Sequence, residues 1–90
     1  MEVHPGASSP ALARDRRTVL ASIYRHRGPS TARAIADRTG LSTLVVIPAL
    51  EDLVAEGLVS RRAWDPDERS RPVWSYQLTP QGRRTYQSQL

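Results

Sequence analysis

The stretch TARAIADRTGLSTLVVIPALEDLVAEGLV, Thr31 to Val59, limits the fold more than any other part of the chain. Its first half has Ala32, Ile35 and Ala36 at helical spacing behind Thr31 (or Ser30), a hydroxyl residue suited to cap a helix. Gly40 supplies a residue free to take positive φ where that helix must stop. Ser42 caps a second helix, spanning 42–56, whose inner stripe is Val46, Ala49, Leu50 and Leu53 and which Gly57 ends. Two helices joined by a turn of about three to four residues form a helix-turn-helix, whose second helix can enter a DNA major groove. A helical hairpin packed for stability alone satisfies the same pattern.

The segment after Gly57 separates these readings. Leu58 to Trp64 and Val73 to Thr79 have strand character and flank the turn-rich loop DPDERSRP, Asp65 to Pro72. A hairpin directly after a helix-turn-helix is a winged helix. By alternation, Leu58, Ser60, Arg62 and Trp64 share one face of the first strand, and Trp74, Tyr76 and Leu78 share one face of the second. Trp64 and Trp74 read as core or interface aromatics, with ligand stacking as the alternative. Arg61, Arg62, Arg69 and Arg71 can straddle a phosphate backbone, or Arg62 can pair with an acid of the loop.

Upstream, Met1 to Pro10 is rich in proline, glycine and serine and is expected to be a disordered arm, leaving 11–90 as the domain. Ala11 to Arg27 reads as a helix with Leu12, Val19, Leu20, Ile23 and Tyr24 on one side. Its arginines Arg14, Arg16 and Arg17 read as a solvated face, and Gly28 and Pro29 break it. At the other end Thr79 and Pro80 provide a cap followed by proline in the first helical position. The helix after them, Gln81 to Leu90, is short and weakly apolar, with Tyr86 and Leu90 one turn apart. It needs packing to persist, and a second chain is the expected source.

Composition narrows the function. Ninety residues make one small domain, and the absence of cysteine removes disulfides and thiolate metal sites. His4 and His26 lack a carboxylate cluster at ligand spacing, so neither a metal nor another cofactor is expected. No apolar run reaches the roughly 20 residues of a membrane span, and the amino terminus carries no secretory pattern, which points to the cytoplasm. No glycine-rich phosphate loop or activated nucleophile occurs, so an enzyme is not expected. Net charge is +4 and all 13 basic residues are arginine, which favours an anionic partner. Arginine-for-lysine drift in a GC-rich genome accounts for the arginine bias equally well.

The second helix of the motif has an unusual outer face: Thr43, Leu44, Ile47, Pro48, Glu51 and Asp52. Groove-reading helices usually present Arg, Asn, Gln or Ser to base edges. Here hydroxyls at the amino end are followed by aliphatic groups, which can meet a thymine methyl, and then by two carboxylates that phosphates repel. The Leu44–Ile47 surface equally suits protein docking. Pro48, about two turns into the helix, removes a backbone bond that helix rules would keep.

Two blocks carry a family resemblance. PALEDLVAEGLV, Pro48 to Val59, resembles the P-A-L-x-x-L-x-x-x-G-L-[VI] signature of PadR-like transcriptional regulators. WSYQLTPQGRR, Trp74 to Arg84, resembles their wing strand, in which an aromatic pair leads into L-T-x-x-G-[RK]. The wider winged-helix group, including MarR-like regulators, shares G-L-[VI] and L-T-x-x-G. The resemblance covers about Ala11 to Leu90 and accounts for Pro48, which the family also carries. It implies a homodimeric repressor on a palindromic operator, with half-sites about 34 Å apart, the recognition helix in the major groove, the wing on the backbone and in some members an effector at the dimer interface. Departures are Ile47, where the family has tyrosine, and Glu51 and Asp52, where it has basic or histidine residues. The family's long carboxyl-terminal dimerisation helix has no counterpart before Leu90, which assigns any dimer interface to the first and last helices.

The expected architecture is mainly α with a small β-hairpin wing, an α+β winged helix-turn-helix in the order α-α-α-β-β-α. Expected DNA contacts are Thr31, Arg33, Ser42, Thr43, Leu44, Ile47, Arg61, Arg62, Arg69 and Arg71. Expected dimer contacts are Leu12, Val19, Ile23, Tyr86 and Leu90. The expected partners are double-stranded DNA and a second copy of the chain in a nucleoid-associated, cytoplasmic regulator. The alternative is an anti-repressor or adaptor that docks a protein partner through Leu44 and Ile47.

Overall fold

The computed structural model describes residues 10–26, 28–64 and 73–89, without the side chains of 10–12 and 64. The elements are α1 (Pro10–Arg25), β1 (Ser30–Thr31), α2 (Ala32–Thr39), α3 (Thr43–Ala55), β2 (Val59–Trp64), β3 (Val73–Leu78) and α4 (Pro80–Ser88). The order matches the expected winged helix-turn-helix, with one addition. Ser30 and Thr31 form a short strand that pairs antiparallel with β3, Ser30 opposite Tyr76 and Thr31 opposite Ser75. The sheet is therefore three-stranded, in the order β1-β3-β2. The expected disordered arm lies outside the described residues, except that Pro10 already belongs to α1. That helix ends at Arg25, two residues before the expected Arg27.

The caps follow the local chemistry. The Thr31 hydroxyl accepts from the Ala34 amide at 3.1 Å, and the Ser42 hydroxyl accepts from the Leu44 amide at 3.0 Å. Between α2 and α3 the Gly40 amide donates to the Ala36 carbonyl at 2.8 Å, and the Thr39 hydroxyl accepts from the Leu41 amide at 3.2 Å. The helix-turn-helix is thus closed by its own hydroxyls. Pro48 sits inside α3, which continues through it.

A single core joins the helices to the base of the sheet. Val19, Leu20 and Ile23 of α1 meet Ile35 and Ala36 of α2, the α3 stripe Val46, Ala49, Leu50 and Leu53, and then Leu58, Val59, Tyr76 and Tyr86. The α3 stripe is the one its periodicity predicts. Tyr24 and Tyr86 pack ring against ring at 4.4 Å between centroids, and this holds α4 on α1 within one chain. Two polar contacts clamp the helices from outside. Arg16 of α1 pairs with Glu56 at the end of α3. Arg38 of α2 donates to the Ser22 and Ser30 hydroxyls at 3.1 and 3.0 Å. Arg16 is therefore not simply part of a solvated face.

The tightest junction lies where α3, the wing and α4 meet. Gly57 has φ +77°, a left-handed conformation that a side chain would strain. It lets the Leu58 amide return to the Leu53 carbonyl and the Gly57 amide to the Val54 carbonyl, both at 3.0 Å, a Schellman closure with Leu58 buried over Leu53. Thr79 then ties the far strand to this corner. Its amide donates to the Leu58 carbonyl at 3.0 Å, and its hydroxyl donates to the Gly57 carbonyl at 2.7 Å. The same hydroxyl accepts from the Gly82 amide at 3.0 Å, capping α4. A Cβ on Gly82 would sit 2.0 Å from the Leu58 carbonyl oxygen, so no side chain fits there. Gly82→Ala is expected to destabilise the fold by roughly 3 kcal/mol and lower Tm by roughly 10–20 °C. A thermal melt followed by circular dichroism checks this, and an unchanged Tm would mean the junction relaxes freely.

Candidate nucleic-acid interface

While α3 buries Val46, Ala49, Leu50 and Leu53, it exposes Thr43, Leu44, Ile47, Pro48, Glu51 and Asp52. Leu44 is 84% exposed and Ile47 42%, which is unusual for aliphatic residues on a helix whose inner face is fully buried. The outer face divides along the helix axis. Its amino-terminal half is hydroxyl and aliphatic, and its carboxyl-terminal half carries the two acids.

The wing begins beside this face. The strand register sets Val59 opposite Leu78, Arg61 opposite Tyr76, and Ala63 opposite Trp74, so these six residues share one side of the hairpin. Val59 and Tyr76 are buried at its base. Beyond them the core ends, and Trp74 is 44% exposed, which rules out the core as its place and leaves the interface alternative. The Arg61 guanidinium lies over the Trp74 ring, 4.6 Å from its centroid. Burial pushes the Tyr76 phenol above its ordinary value, Arg61 acts to lower it, and Glu51 of α3 acts to raise it. Arg61, Glu51 and Tyr76 thus form one electrostatic cluster linking α3 to the wing. Arg62, opposite Ser75, projects from the other side of the hairpin and is exposed.

Of the remaining expected contacts, Arg33 is exposed in the first turn of α2. Thr31 is half-buried, with its hydroxyl committed to the α2 cap. The Ser42 hydroxyl is likewise committed to the α3 cap, whereas Thr43 stands exposed beside it. Arg69 and Arg71 lie outside the described residues, as do the side chain of Leu12 and all of Leu90. The expected dimer contacts need correction. Val19, Ile23 and Tyr86 are 0%, 3% and 7% exposed, because the chain's own core encloses them. A second copy has almost no surface of theirs to cover. Sequence reasoning missed the Arg61–Trp74 stack, which becomes visible only through the strand register.

The Tyr76 environment gives a pH test. The fold favours the neutral phenol, so its contribution is intact below about pH 10, the unfolded value, and is lost as pH rises through the higher folded value. Urea unfolding from about pH 8 to about pH 11.5 is expected to show stability falling at the alkaline end, with a shallower fall in Tyr76→Phe. Equal slopes in the two proteins would remove Tyr76 as the cause.

No protein-family model matches the chain, and no curated protein matches it. Solved structures do. A double mutant of Lactococcus lactis ZitR in apo form superposes with a TM-score of 0.70 at 23% identity, covering 88% of this chain and 56% of that one. The S. aureus MepR–DNA complex superposes with a TM-score of 0.69 at 21% identity, covering 82% of this chain and 58% of that one. A PadR-like transcription factor from Bacteroides fragilis gives a TM-score of 0.75 at 18% identity, covering 88% and 79%. The chain spans about half the length of the first two. At these identities the shared property is the fold: four helices and a three-stranded antiparallel sheet, arranged as the winged helix-turn-helix of these regulators.

Proposed function

We propose that this chain is a DNA-binding transcriptional regulator. In this reading α3 enters the major groove by its amino-terminal half and the wing lies along the backbone. One observation carries the proposal: the helix at the recognition position of a winged helix-turn-helix leaves its whole outer face open beside exposed arginines. Arg33, Arg61 and Arg62 anchor phosphates, as do Arg69 and Arg71 of the loop, while Thr43, Leu44 and Ile47 face base edges. Thr31 and Ser42 contribute by fixing the helix amino ends through their caps. The functional unit in this reading is a cytoplasmic, nucleoid-associated homodimer that represses from a palindromic operator. Its dimer contacts come from the exposed faces of α1 and α4, because Val19, Ile23 and Tyr86 are enclosed.

Fluorescence anisotropy of a labelled duplex, titrated at several salt concentrations, tests this. Binding that weakens steeply with salt is expected, since each neutralised phosphate releases counterions. Arg61→Ala and Arg62→Ala should each weaken binding to all sequences alike and reduce the salt slope by about 1. Absence of binding at low salt would overturn the proposal.

A second reading, protein docking, is favoured by the same 84% exposure of Leu44 beside Glu51 and Asp52. Leu44→Arg separates the two. It abolishes partner capture if the face docks protein, and it retains or strengthens DNA binding if the face meets a groove.

A further inference from the structure

We infer that α3 recognises the C5-methyl group of pyrimidines, and that the protein's preferred sites are A·T-rich, with thymine methyls against Leu44, Ile47 and Pro48. The inference rests on the proposed DNA-binding role and specifies what that site selects. Leu44, Ile47 and Pro48 stand at i, i+3 and i+4, so they form one stripe, and all are exposed. The stripe covers about 6 Å of helix axis, roughly two base-pair steps. It occupies the amino-terminal half of the helix, the part that reaches base edges in helix-turn-helix docking.

What α3 lacks is equally informative. Between Thr43 and Ala55 there is no arginine or lysine to fork onto guanine, and no asparagine or glutamine to pair with adenine. The polar groups on its outer face are the Thr43 hydroxyl, Glu51 and Asp52. The major-groove feature that an aliphatic stripe can recognise is a methyl group, and thymine carries one at C5. Flanking charge holds the stripe against the duplex: Arg33 lies exposed on α2, Arg61 is braced on Trp74, and Arg62 is exposed on the wing. 5-Methylcytosine presents the same methyl group, and the test separates the two sources.

The test compares binding of the full chain to alternating poly(dA-dT) and poly(dA-dU), which share backbone and base pairing and differ only in the thymine methyl. Poly(dG-dC) and its 5-methylcytosine form make the second pair. Removing the methyls is expected to weaken binding about fourfold per methyl, or on the order of tenfold where two are buried. In Leu44→Ala the dT-to-dU ratio should fall toward one. In Arg62→Ala both affinities should drop with the ratio kept. A gain confined to the dT/dU pair assigns thymine, and an equal gain on methylating poly(dG-dC) shows that the methyl is read on either base. Salt-dependent binding with equal affinity for dT and dU would overturn this inference and leave the DNA reading standing. No binding to any duplex would overturn both.

Discussion

The geometry depends on one backbone approach, that of Gly82 against the Leu58 carbonyl. At this point the last turn of α3, the first residue of the wing and the first turn of α4 share a corner too tight for a side chain. Thr79 makes the corner permanent by donating to Gly57, accepting from Gly82 and pairing its amide with Leu58. Backbone groups that would otherwise sit unpaired at helix and strand ends are satisfied there. The angle between α3 and the hairpin is therefore set by covalent geometry and hydrogen bonds rather than by side-chain packing alone. Arg61 can then lie over Trp74 and beside Tyr76, on which Glu51 of α3 also acts, although these residues come from different elements.

The two faces of α3 answer to separate constraints. Its inner stripe is spent on the core, where Val46 and Leu50 are 0% exposed and any change of volume is felt by α1 and α2. Its outer stripe is open to solvent and free to vary with the partner. The chain places aliphatic groups there despite the cost of leaving them in water, and α3 carries none of its arginines, which stand on the other helices and on the wing. Positive charge and aliphatic surface therefore stand on different elements.

Much of this was legible in the sequence, because caps and periodicity are local. Thr31, Ser42 and Thr79 cap the helices they precede, and the inner stripe of α3 follows from spacing alone. The two-residue β1 has no periodicity to reveal it, since it exists only through pairing with Tyr76 and Ser75. Val19, Ile23 and Tyr86 were visible as apolar, but spacing cannot tell whether a residue is buried by its own chain or by another. Trp74 shares a strand face with buried Tyr76, yet the core ends between them. The Arg16–Glu56 and Arg38–Ser22 contacts join residues far apart in sequence and leave no local signal. Gly82 is marked in the sequence only as part of a family block, and the need for it is a three-dimensional clash that no spacing encodes.

Pro48 has a consequence of a different kind. Lacking an amide hydrogen, it cannot close the helical bond that the Leu44 carbonyl would otherwise receive. Leu44 and Pro48 lie on the same exposed stripe, so the carbonyl deprived of its usual helical donor belongs to the aliphatic face. A partner that covers this face is favoured by a hydrogen-bond donor, or a bridging water, near that oxygen. A smooth hydrocarbon surface offers neither. An A·T pair offers the donor in one step, because in the major groove the adenine amino group and the thymine methyl lie on the same edge.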